Sequence, residues 1–181
     1  MDFGNTMRAV FAKATVPVWV QSQPIHAIER ILAPVDLSEE SMGALAMACA
    51  LANAFHASVH ALHCLEFGSY AMPGALDHTA FGATFPIEDV LRSERARFEG
   101  AMREFDWRGS EHSTESMEGA PTEVILDRSK TADLIVMGTH GRTGFASIVL
   151  GGTAYGVLKR SEKPVLVARH PKRDFLIGEP E

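Results

Sequence analysis

Cysteine, basic charge and long apolar runs are all scarce in this chain. Its 181 residues include 2 cysteines, Cys49 and Cys64, and they form no C-x-x-C pair. Cys49 falls on an apolar helical face and Cys64 at the end of a strand pattern. Both read as small apolar residues of a reducing compartment. Lys and Arg number 17 against 23 Asp and Glu, for a net charge of −6. That balance argues against general nucleic-acid binding, which needs a cationic excess to neutralise phosphates. No stretch approaches the ~20 apolar residues of a membrane span. The N-terminus lacks the apolar core and small-residue cleavage site of a secretory signal. A cytoplasmic protein without a membrane partner is the expectation. Catalytic patterns are missing too: no Ser-His-Asp, Cys-His or paired-carboxylate arrangement follows from spacing. Of the 8 histidines, His60 and His63 differ by three positions on a strand and so point to opposite faces. A shared zinc site is not expected, because zinc needs convergent ligands.

What is present is an ordinary apolar fraction, 46%, arranged in alternating patterns. Residues 30–35 form a near-continuous apolar run, as in a strand buried on both faces. Ser38 caps the following helix, with Glu39 and Glu40 in its first turn. Leu45, Ala48, Cys49, Ala52 and Phe55 recur at helical spacing. A second strand covers residues 57–65, and a long glycine- and aromatic-rich loop follows over residues 68–85. Loops of that length are commonly functional or disordered. Pro86 opens a second helix with an apolar stripe of Leu91, Phe98, Met102 and Phe105. Residues 110–118 are strongly polar and fit only an edge strand. Pro121 opens a short third helix, residues 133–137 form a fourth strand, and a helix ending near Ser161 precedes a fifth strand at residues 164–168. The order β-α-β-α-β-α-β-α-β predicts a doubly wound α/β fold with a five-stranded parallel sheet and helices on both faces. Residues 1–26 admit two readings: a frayed leader, or a segment packed on the body or on a partner, with 17–20 extended.

The densest chemistry lies at Met-Gly-Thr-His-Gly-Arg-Thr-Gly, residues 137–144, and its continuation to Gly151, Gly152 and Thr153. It is a glycine-punctuated loop between a buried strand and a helix. An open α/β sheet binds ligands there, at the carboxyl ends of its strands and in front of helix N-termini. Backbone N–H groups and the helix dipole make an anion site. His140 and Arg142 add donors, so a phosphate-bearing ligand is expected. The loop is neither G-x-G-x-x-G nor a Walker A loop.

The spacing Gly138-x-x-Gly141, nine residues, then Gly151, together with Ile31-Leu-Ala-Pro-Val-Asp36 and the terminal Lys163-Pro-Val-Leu-Val-Ala168, resembles the universal stress protein family. The resemblance covers residues 29–169. The family's nucleotide-binding pattern is G-x-x-G-x9-G-[ST], and Gly152 stands here at the Ser/Thr position. The missing hydroxyl removes one neutral hydrogen bond, about 0.5–1.5 kcal/mol or up to tenfold in affinity. The resemblance implies strand order 3-2-1-4-5, with Asp36 and Gly138 flanking one crevice. It also implies ATP or AMP as ligand, with Mg²⁺ or Mn²⁺. Asp36 would meet the ribose or the metal, and Pro34, Val35, Cys64 and Met137 the base. Gly138, His140, Gly141, Arg142, Gly151, Gly152 and Thr153 would hold the phosphates. It further implies a homodimer through the last strand, from Pro164 to Ala168. The expected organisation is an extension (residues 1–28), the α/β domain (29–170) and a tail (171–181).

The leading expectation is a nucleotide-responsive regulator of the stress response with at most slow ATP hydrolysis, since only His140 or Asp36 offers a base. A dimeric interaction protein without nucleotide is one alternative. An enzyme acting on another phosphorylated metabolite, with the long loop as lid, is another.

Overall fold

Ile31, Leu32 and Ala33 follow one another without a polar break, and each is buried. A strand of this kind must be covered on both faces, and the fold does so. The computed structural model describes residues 10–11, 13–14, 16–21, 23–24, 26–66, 87–139 and 150–168. The elements are β1 (Val18–Val20), β2 (Arg30–Pro34), α1 (Glu39–Phe55), β3 (Ser58–Leu65), α2 (Ile87–Glu104), β4 (His112–Glu118), α3 (Pro121–Ser129), β5 (Leu134–Gly138), α4 (Gly152–Arg160) and β6 (Val165–Ala168). The long loop, Pro86, His140, Gly141, Arg142 and the C-terminal tail lie outside the described residues.

The strands form one six-stranded sheet, ordered β1-β6-β5-β2-β3-β4. Five are parallel, and without β1 their order is the 3-2-1-4-5 expected. Two core clusters sandwich the sheet. One joins Ile31, Ala33, Val59, Ala61, Leu134 and Val136 to Leu45, Ala48 and Cys49 of α1 and Phe98 and Met102 of α2. The other joins Leu32, Leu62, Ile135, Val165 and Val167 to Val124 and Ile125 of α3 and Ala154, Val157 and Leu158 of α4. Successive strand residues alternate between the clusters, as the pleat requires. Helices thus cover both faces, and the sheet is doubly wound.

Two expectations change. The sheet has six strands, not five, because Val18–Val20 pairs antiparallel with β6: Val18 opposite Val167, Trp19 opposite Leu166, Val20 opposite Val165. The outer edge of the last strand, expected to be open to a second copy, is covered by this chain's own N-terminal segment. Phe11 anchors that segment. It is only 2% exposed and belongs to the cluster under α3 and α4. The second change is Phe55, which is exposed at the last position of α1. The helix ends at His56, which adopts the left-handed conformation and donates its backbone N–H to the Ala52 carbonyl.

The polar sequence of β4 fits its place at the sheet edge. His60 of β3 reaches Ser113 (2.8 Å) and Glu115 (3.1 Å) on β4. Arg128 of α3 binds Glu115 with two nitrogens at 2.8 and 2.9 Å. That fork holds the Glu115 carboxyl below its ordinary range, chiefly through the Arg128 hydrogen bonds and with help from His60. At the sheet's opposite end from the crevice, Asp133 Oδ2 accepts the backbone N–H of Glu29 (3.0 Å) and of Arg30 (2.9 Å). It thereby ties the start of β2 to the start of β5.

Candidate functional site

The crevice is built by pairing β2 directly with β5, Ile31 opposite Leu134 and Leu32 opposite Ile135. Their carboxyl ends lie side by side, and each leads to a helix N-terminus. From β2, Val35, Asp36 and Leu37 lead to α1. From β5, Thr139 and the glycine loop lead to α4. Asp36 and Gly138 therefore flank one crevice.

The β2 side is a closed hydrogen-bond network. Asp36 Oδ1 accepts from the Ser38 backbone N–H (3.1 Å) and hydroxyl (2.5 Å). Ser38 Oγ accepts from the Ser41 N–H (3.2 Å) and so caps α1. The Ser41 hydroxyl donates to the Ser38 carbonyl (3.1 Å) and accepts the Asp36 N–H (3.2 Å). One Asp36 oxygen is thus engaged in shaping the turn. Leu37 sits between these residues at φ +66°. A left-handed non-glycine residue costs about 1–2 kcal/mol. Packing of Leu37 on the core offsets this. Strained backbone of this kind clusters at functional sites. Ser38 ahead of Glu39 and Glu40 signalled the cap, but nothing in the sequence signalled the strain.

His63 is the site-wall residue that sequence reasoning missed. It is 2% exposed and stacks on Phe98 of α2, ring centroids 5.0 Å apart and 13° between planes. Its Nδ1 lies 2.7 Å from the Val35 carbonyl. A carbonyl only accepts, so Nδ1 carries the proton. His63 therefore fixes the backbone at Val35, whose N–H donates to Leu62 (2.8 Å). Its signal was a histidine on the inward-facing side of a buried strand.

Cys64 points to the other face of β3, where its Sγ is 4.0 Å from the Pro121 carbonyl. Burial, with a smaller contribution from the Glu66 charge, pushes its pKa up to about 12. The thiol is thus a neutral wall group, with a thiolate fraction on the order of 10⁻⁴ at pH 8. Burial likewise raises Cys49. Iodoacetamide at pH 8 should label both cysteines of the native protein at least ~100-fold more slowly than those of the urea-unfolded chain. Rapid native labelling of Cys64, read by mass spectrometry, would contradict its neutral state.

On the β5 side, Met137 and Thr139 are buried. The Gly151 N–H donates to the Thr139 carbonyl at 2.8 Å, so the start of α4 is tied to the end of β5. Gly151 is the N-cap and Gly152 the first helical residue. Thr153 is therefore the second helical residue, one position beyond Gly152. A Cβ at Gly152 would meet nothing within 4 Å. Gly138 differs: a Cβ there would come within 3.1 Å of the Glu40 backbone carbon and 3.2 Å of its oxygen. Close approach of α1 requires this glycine.

The two helix N-termini differ in charge. The first turn of α1 carries Glu39 and Glu40. The first turn of α4 carries no acidic residue, and its N-cap, Gly151, has no side chain with which to cap it. Unsatisfied N–H groups at a helix start attract anions, and only α4 leaves its own dipole end uncompensated by carboxylates. Among the described residues, no three His, Cys, Asp or Glu side chains form a metal cluster. A divalent ion would rely on Asp36 and on oxygens brought by a ligand.

Comparison with known proteins agrees with this architecture. The Universal stress protein family model matches residues 27–169. A universal stress protein of Methanocaldococcus jannaschii is 33% identical over 177 residues, covering 93% of this chain and 100% of that protein. The solved structure of the universal stress protein UspA from Lactobacillus plantarum has a TM-score of 0.67 at 28% identity, covering 80% of this chain and 99% of that one. A universal stress protein solved in complex with cAMP shares the fold, with a TM-score of 0.50 at 23% identity over 80% of this chain and 98% of that one.

Proposed function

Since the chain belongs to the universal stress protein family, we propose that it binds an adenine nucleotide, ATP or AMP, and acts as a nucleotide-responsive regulator in the cytoplasm. The observation that carries this reading is the start of α4. An acid-free helix N-terminus with glycine at its N-cap stands at the carboxyl end of β5, beside β2, on a backbone of Gly151 and Gly152. A phosphate there would accept the first-turn N–H groups. Asp36, across the crevice, would accept from ribose hydroxyls or share a Mg²⁺ or Mn²⁺ ion with the phosphates. Pro34, Val35, Cys64 and Met137 would line the base, with His63 holding the Val35 carbonyl in place. Gly141, His140 and Arg142 would complete the phosphate side. Hydrolysis would be slow, because one Asp36 oxygen already serves the turn and the thiol of Cys64 stays protonated.

Gly152 favours a second reading, an interaction protein of the same family that binds no nucleotide. Titration calorimetry with ATP and Mg²⁺ separates the two. Wild type should show saturable binding, and Gly152→Ser should bind up to about tenfold more tightly, the value of one regained hydrogen bond. Serine fits without strain because the space at Gly152 is open. If neither protein takes up ATP at millimolar concentration, the nucleotide reading fails.

A further inference from the structure

The antiparallel strand β1 has the same shape of sequence as the strand it covers. Val18-Trp19-Val20 lies against Val165-Leu166-Val167, with Trp19 opposite Leu166 and valines opposite valines. The faces match as well. Val18 and Val20 pack on the cluster that contains Val165 and Val167. Trp19 packs on the opposite cluster, which contains Leu166. A second β6, related by a two-fold axis perpendicular to the sheet and midway between paired Leu166 residues, would make the same antiparallel register and present matching apolar side chains to the same faces. Such a pair is isologous and closes on itself.

We propose that β1 is an internal mimic of a second copy's β6, and that it competes with self-association of this chain through the β6 edge. With β1 docked, the edge is satisfied within one chain. With β1 released, a four-residue strand whose side chains are all buried is left with unpaired backbone groups on one side, a template for another strand. The self-complementary occupant is β6 of a second copy. The connection allows release. Residues 21–29 join β1 to β2, nine residues that extend to roughly 30 Å. They need cross only three strand spacings, about 14 Å. β1 can therefore leave the edge without pulling on β2. The mimic is also short, three residues, held among the described residues by its pairing with β6, its anchor at Phe11 and the half-buried Val-Trp-Val side chains.

The test is light-scattering mass combined with amide hydrogen exchange on the full chain. Val18→Asp with Val20→Asp places carboxylates against the Val165 and Val167 face and should undock β1. The folded variant should run at twice the 19.7 kDa chain mass, with residues 18–20 unprotected and 165–168 still protected. Trp19→Gly, a milder change should the double variant fail to fold, should raise the dimer fraction in proportion to the protection lost at 18–20. A folded variant with β1 unprotected that stays monomeric overturns the proposal. So does any dimer, wild type or variant, in which residues 18–20 remain protected, because that copy has associated by strand exchange or by another surface.

Discussion

Phe11→Ala should lower the free energy of unfolding by about 3–5 kcal/mol, the range for truncating a fully buried phenylalanine. Phe11 is 2% exposed and is among the largest fully buried side chains of the chain. It packs in the cluster that also contains Leu32, Leu62, Ile135 and Val124, so its removal leaves a void beneath α3 and α4. A residue in a frayed leader would give a change within about 0.5 kcal/mol. Urea unfolding of wild type and variant, compared at equal m-value, distinguishes these outcomes. A near-zero change would mean that the segment before β2 is not part of the core. The variant should also lose amide protection at Val18–Val20, since Phe11 is the anchor upstream of β1.

That segment shows where sequence stops being informative. Residues 17–20 read as extended, and they are, but three residues carry no register signal. Pairing with β6 joins positions almost 150 residues apart, and the information lies in the partner. The parallel strands were legible because each is a continuous apolar run or alternates with period two. The polar β4, the exception, lacks that signal and was legible only as an edge strand, where one face and one edge see water. Ser38 and Pro121 mark their helix starts by local chemistry, and both do begin helices. Tertiary facts were not legible. Glu94 is buried on α2 beside an exposed Arg97 that pairs with it at 2.6 Å. Asp133 ties β2 to β5 through its side chain, although in sequence it marks only the start of a strand. In the site, the Asp36 turn and the glycine spacing could be read directly, whereas the His63 to Val35 bond and the left-handed Leu37 depend on how β2, β3 and α2 meet.

The same distinction separates the two helix starts at the crevice. Charge placement along each helix is local, so Glu39 and Glu40 on α1, and the lack of any acid in the first turn of α4, could be read from the sequence. Their consequence could not, because it needs β2 beside β5. Once those strands pair, α1 brings its own carboxylates to the crevice and α4 brings none. An anion placed between them is repelled on one side and attracted on the other. A phosphate would therefore sit nearer Gly151 and Gly152 than Ser38, leaving the β2 side for neutral or donor groups such as ribose hydroxyls, or for a cation.

Gly138→Val should destabilise the fold by about 1–3 kcal/mol, as overpacking does, and should weaken any ligand at the crevice for a reason unrelated to ligand contact. A Cβ at this position stands 3.1–3.2 Å from the backbone carbon, the oxygen and the Cβ of Glu40. Two of those atoms belong to the main chain of α1's first turn and cannot move alone. Valine adds two further carbons, so α1 must shift, and with it the Ser38 to Ser41 cap and the turn that Asp36 holds. Gly138→Ala needs a displacement of only a few tenths of an ångström and should cost less, about 1 kcal/mol. Thermal unfolding of both variants should give this order. Gly152→Ser, where the space is open, should leave the midpoint almost unchanged. If Gly138→Val melts with wild type, the approach of α1 is not what requires glycine here, and contact with a ligand becomes the remaining reason. If the order holds, loss of nucleotide binding in Gly138→Val reports the position of α1, and only the Gly152 series reports the phosphate contact itself.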